Sequence, residues 1–182
     1  METVVISTVA TGYGTQALTN HGLAFVVMPD SDGTYALVGR VAAWGAHIDN
    51  LLDRMIWALM GVDPEVGAQE TSRLVGASQR WDRVVNLAEP ERLPNDLLSE
   101  ALRLQGRSPQ LSKRRARIIH DPWFLNAQTG RQAQFRAMPK GQLVFGFVEV
   151  EPTEVDATVD ELMKTAQEVG ALHDRVLAHL VN

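Results

Sequence analysis

The 182-residue chain has no cysteine, which excludes disulfides and thiolate metal sites and fits a reducing compartment. It has no run of about 18 uninterrupted apolar residues, the length a membrane span needs. The N-terminus, Met1-Glu2-Thr3-Val4-Val5-Ile6, lacks the basic region of a signal peptide. The expectation is a cytoplasmic protein with no membrane association. His-Glu-x-x-His, Walker A, GxGxxG and GxSxG patterns are all missing, so no metal and no cofactor are expected. Asp30-Ser31-Asp32-Gly33 begins like a calcium loop, lacks the later ligands, and reads as a turn. A basic excess is also missing. The formal charge of −5 excludes a protein that coats nucleic acid with its whole surface, but it leaves room for a local site.

What is present reads as a helical scaffold. Hydrophobic residues at 45% and charged residues at 21% are ordinary for one globular domain, which at this length buries about 70% of its unfolded surface. Residues 1–34 leave two readings open, short strands at Val4–Ile6 and Leu23–Met28 or a partly ordered extension. A helical domain follows over residues 35–182. Leu37, Val41, Trp44, Ile48, Leu51 and Met55 recur at alternating spacings of four and three, which predicts a helix over about 35–60. Leu74, Ala77, Trp81, Val84 and Ala88 predict a second over about 66–88. A third is expected over about 95–105, broken at Gly106-Arg107-Ser108-Pro109, and a fourth over about 109–120, restarted by Ser108 as cap and Pro109 at the first position. Ala133, Phe135 and Ala137, then Leu143, Phe145 and Phe147, alternate with their neighbours around Pro139-Lys140-Gly141 and predict a hairpin over about 131–150. Thr153 is expected to cap a last helix over about 153–181. The fold class is mainly α, a helical bundle with one β-hairpin inserted before the C-terminal helix.

The chemistry concentrates in Lys113-Arg114-Arg115-Ala116-Arg117-Ile118-Ile119-His120-Asp121-Pro122-Trp123. On a helical wheel Leu111, Ile118 and Ile119 define a buried arc with Arg115 at its middle, while Lys113, Arg117 and His120 share the opposite face and Arg114 lies on the flank. An arginine on a buried arc needs an anion. Asp49 and Asp53, one turn apart on the first helix, are the candidate partners. Trp123 is placed either to stack a nucleic-acid base or to seal the helix end. On spacing alone, the basic residues are a solvated face and Arg115 is a structural anchor.

The order of elements resembles the HEPN superfamily of small helical bundles, whose hallmark is an arginine four to six residues ahead of a histidine. Arg115 and His120 match it, Arg114 is the alternative arginine, and His120-Asp121-Pro122-Trp123 resembles the histidine-plus-tryptophan ending of bacterial members. The similarity spans roughly residues 35–125. It implies a metal-independent ribonuclease, a toxin or defence component, in which His120 is general acid or base, Arg115 or Arg114 stabilises the phosphate, and Lys113, Arg117 and Trp123 guide RNA. It further implies a homodimer and a cognate antitoxin protein as partner. Ala116 departs from the pattern, because the position after the arginine is commonly polar. That departure implies the alternative, a catalytically inactive bundle serving as a protein-interaction or RNA-binding module.

Overall fold

The computed structural model describes residues 17–20, 23–27, 32–88, 92–140 and 142–181. The strand expected at Val4–Ile6 lies outside them. Ten elements follow in order: β1 (Ala17–Asn20), β2 (Leu23–Val27), α1 (Asp32–Met60), α2 (Pro64–Thr71), α3 (Gly76–Leu87), α4 (Asn95–His120), β3 (Trp123–Asn126), β4 (Gln132–Lys140), β5 (Gln142–Glu149) and α5 (Pro152–Val181). The fold is mainly helical. No helix among the described residues is long and apolar enough to cross a membrane.

Helices α1, α3, α4 and α5 surround one core built on Val41, Leu52, Met55, Trp81, Val84, Leu104, Val159 and Leu172, all nearly inaccessible to solvent. Ion pairs fix the directions. Arg40 lies 3.8 Å from Asp156, so α1 and α5 start at the same end of the bundle. On α4 and α5, Glu100, Arg107 and Arg114 face Arg175, Glu168 and Glu161 in reverse order, so those two helices are antiparallel.

Several helix boundaries differ from the sequence expectation. The third and fourth predicted helices are one continuous α4, with Pro109 inside it. Leu97, Ala101, Leu104, Ser108, Leu111, Arg115 and Ile118 follow each other at spacings of four and three without a phase change across Gly106–Pro109. Burial of that uninterrupted stripe outweighs the roughly 3 kcal/mol an interior proline costs. Conversely, the helix expected over 66–88 is two. The Asp63 carboxylate accepts from the amides of Glu65 and Val66 and starts α2 with Pro64 at its first turn. The chain then breaks and restarts at Gly76, whose φ of +70° a side chain would resist. Thr153 is not a cap either, because α5 begins one residue earlier at Pro152.

The sheet is larger than the predicted hairpin. All five strands pair antiparallel in chain order. The hairpin of β4 and β5 keeps its expected place, with Phe135 opposite Phe147 and Ala137 opposite Phe145. Strand β3 follows α4 directly and bridges β4 to β2, whose Val26 pairs with Leu125. Asp32 and Gly33, expected in a turn, form the start of α1. The sheet carries a small cluster of its own, Phe124, Ala133, Phe135 and Phe147, in which Phe124 and Phe147 meet edge to face at 5.1 Å. Because β2 leads into α1, β3 leaves α4 and β5 leads into α5, the sheet stands at the end of the bundle that carries His120.

Candidate nucleic-acid interface

Arg115 occupies a core position of the α4 stripe, and the opposing helix makes room for it. A Cβ at Gly45 would lie closer than 3.0 Å to three atoms of the Arg115 side chain, so the missing side chain on α1 opens the slot the arginine fills. One turn further on, Asp49 Oδ2 accepts from Arg115 Nη1 at 3.2 Å. The side chains are 26% and 19% exposed, so the pair is largely withdrawn from water. Burial pushes the Asp49 carboxyl above its ordinary range, and the Arg115 and Arg80 guanidinium groups partly oppose that rise. Arg115 Nε and Asp49 Oδ1 are buried with no hydrogen-bond partner among the described residues. They border a pocket of about 20 Å³, the size of a single water.

Asp53, the other candidate partner, is not available to Arg115. Arg80 holds it at both oxygens, Nε to Oδ1 at 2.8 Å and Nη2 to Oδ2 at 3.3 Å. Arg80 Nη1 also donates to the carbonyls of Leu74 and Gly76, so this arginine pins the break between α2 and α3 to α1.

Arg114 pairs with Glu161 on α5. Seven residues back, Arg107 Nη1 meets Glu168 Oε2 at 2.6 Å, and seven further back Glu100 pairs with Arg175. The three rungs share one heptad register on both helices, as charged positions flanking an antiparallel helical seam do. Arg114 is thus a rung of that ladder. The heptad recurrence of Glu100, Arg107 and Arg114 against Glu161, Glu168 and Arg175 is the sequence signal that identifies it.

Lys113 is exposed, and His120, the last residue of α4, is exposed as well. No hydrogen bond or ion pair engages His120 among the described residues. Trp123 is half-buried against the helical core, and its Nε1 donates to the Ile118 carbonyl at 2.9 Å. It therefore satisfies one of the open carbonyls at the end of α4 and seals the helix end. Within one chain, Arg115 faces into the bundle while His120 faces out, and the two do not converge. Among the described residues no group of three or more His, Cys, Asp or Glu is placed to hold a metal ion.

Two residues in this region carry no signal in the hydrophobic pattern. Gln134 is fully buried, although the alternation of β4 assigns Ala133 and Phe135 to the inner face. Its Nε2 donates to the Arg117 carbonyl at 3.0 Å, and its Oε1 accepts from Arg136 Nε at 3.1 Å. Ala133 is buried too, so β4 is covered on both sides at this point: by the phenylalanine cluster on one and by the end of α4 on the other. Arg136 also lies 3.7 Å from Asp121. No protein-family model, curated protein or solved structure matches this chain.

Proposed function

We propose that this chain is a HEPN-like bundle that has given up Arg-x4-His nuclease chemistry and serves as a binding module, with RNA as the partner its exposed cations favour. The observation that carries this reading is the Arg115–Asp49 ion pair inside the slot at Gly45. A guanidinium committed to a buried carboxylate is not free to stabilise charge on a phosphate, which is the role the nuclease needs it to play. The second arginine of the motif is committed as well, to Glu161. Ala116 supplies no polar group beside them. Lys113 and His120 remain exposed on the last turns of α4, where they suit a salt-sensitive contact with a phosphate backbone; Arg117, expected on the same face, is half-buried beside Arg136 and Glu154 instead. The test is incubation of purified protein with single-stranded RNA in the presence of a chelator. Binding without cleavage is expected, and intact, unbound RNA would remove the RNA assignment.

A second reading, a metal-independent ribonuclease acting as a toxin with a cognate antitoxin, draws on the exposure of His120. In it a homodimer would bring two histidines to one groove. Growth arrest on induced expression that disappears in His120→Ala would favour this reading over the first.

A further inference from the structure

Among the described residues the sheet ends on one side at β1, four residues long, and on the other at β5, eight residues long and paired only with β4. The two edges differ in protection. Proteins blunt an open strand edge by keeping it short or by placing lysine or proline on it. Strand β1 is short. Strand β5, Gln142-Leu143-Val144-Phe145-Gly146-Phe147-Val148-Glu149, carries neither proline nor lysine. Its one charged residue, Glu149, already accepts from Arg131 Nη1 of the same chain at 3.1 Å.

Hydrogen bonds fix which backbone groups of β5 face the outer side. The Phe135 N–H donates to the Pro122 carbonyl, away from β5, and the Val150 N–H donates to the Gln132 carbonyl, toward β4. In an antiparallel ladder these directions alternate residue by residue. Phe135 stands opposite Phe147, and Gln134 opposite Val148. Gly146 and Val148 therefore turn their N–H and C=O groups toward β4. Leu143, Phe145, Phe147 and Glu149 turn theirs away from it. A strand laid along this edge would meet those four residues at hydrogen-bonding positions.

The sequence of β5 says which strand. Val144-Phe145-Gly146-Phe147-Val148 reads the same in both directions. Two copies running antiparallel about a two-fold axis at Gly146 place Phe145 opposite Phe147 of the second copy and Val144 opposite Val148. In that register the phenylalanine positions form hydrogen-bonded pairs. Gly146 stands opposite itself at a non-hydrogen-bonded site, where Cα atoms approach to about 4.5 Å. Sequence symmetry and backbone direction thus select one register, and the contact is the same patch on both copies, as a two-fold interface requires. We propose that β5 pairs with β5 of a second copy of this chain, with Gly146 on the two-fold axis, joining two sheets into one. The proposal concerns the sheet edge and stands independently of the RNA reading and of any contact through α4.

Because the chain has no cysteine, disulfide trapping reads the register directly. Val144→Cys and Val148→Cys are made separately in the full chain. In the proposed pairing, position 144 of one copy lies about 4.5 Å from position 148 of the other, within the span of a disulfide. Equivalent positions of the two copies lie four residues apart along the strands, about 13 Å, which is too far. Mixing the two variants under mild oxidation is expected to give a covalent dimer, and neither variant alone should. Sedimentation velocity of the wild type is expected to show a dimer that grows with concentration. Phe145→Pro removes an outward N–H and should weaken the dimer at least about tenfold. Thermal unfolding checks each variant, and if Phe145→Pro does not fold, the cysteine pair decides alone. A wild-type monomer at every concentration, a covalent dimer from either cysteine variant alone, a dimer that gives no mixed disulfide, or undiminished association of folded Phe145→Pro would each overturn the proposal.

Discussion

Replacing Arg115 by methionine removes the cation and keeps most of the side-chain volume. The Asp49 carboxylate is then stranded at 19% exposure with no counter-ion in its slot. Losing one partner of a fully buried pair costs about 3–5 kcal/mol. Because a quarter of Arg115 reaches solvent, the expected loss is about 2–3 kcal/mol. For a domain of this size that lowers the melting temperature by about 4–10 °C. The cost should depend on pH. Asp49 already sits above its ordinary value of 3.8 through burial, and Arg115 is the largest influence opposing that rise. Without it the folded-state value climbs further. A carboxyl whose folded pKa exceeds its unfolded one holds its proton more tightly when folded. Its contribution to stability is complete below the unfolded value and is lost as pH rises through the folded one. The deficit of Arg115→Met should therefore be small near pH 4 and grow toward neutrality, and adding Asp49→Leu should recover most of it. Urea unfolding of the single and double variants across this range measures all three quantities. A variant as stable as wild type at neutral pH, or a deficit indifferent to pH, would refute the structural role of Arg115.

Gly45→Ala should destabilise by about 2 kcal/mol through its clash with Arg115, whereas Gly39→Ala, which meets no atom within 4 Å, should stabilise by up to about 1 kcal/mol through helix propensity; paired thermal melts check the contrast. Pro109→Ala should raise stability by about 1–3 kcal/mol, because the residue lies inside a continuous helix and is exposed; no change would mean a break there. Trp123→Phe should cost about 1 kcal/mol through loss of the bond to the Ile118 carbonyl, and filter binding should show RNA affinity unchanged.

The periodic parts of the fold were legible and the exceptions to periodicity were not. The stripes of α1 and α5 carried both helices to within a few residues, since burial of a continuous apolar face dominates the local choice. The same principle, applied without interruption, also describes α4. Pro109 is misleading because a local breaker competes there with a stripe that runs from Leu97 to Ile118 in constant phase, and the stripe wins. Strand β3 is four residues long and begins at the tryptophan that also closes α4, too short for a period to declare itself. In the candidate site, helical spacing makes Asp49 and Asp53 equally eligible partners of Arg115, and only packing assigns Asp49 to Arg115 and Asp53 to Arg80. Gln134 is invisible in the sequence because its burial is satisfied by hydrogen bonds, to the Arg117 carbonyl on α4 and to Arg136 on its own strand, which leave no mark in the hydrophobic pattern.

In the proposed function the motif arginine, Arg115, serves the fold and not a cleavage reaction. The most direct measurement follows single-stranded RNA with purified wild type and His120→Ala in excess chelator, reading binding and cleavage on the same samples. Salt-sensitive binding with full-length RNA recovered from both proteins is expected. Cleavage by wild type that disappears in His120→Ala would contradict it.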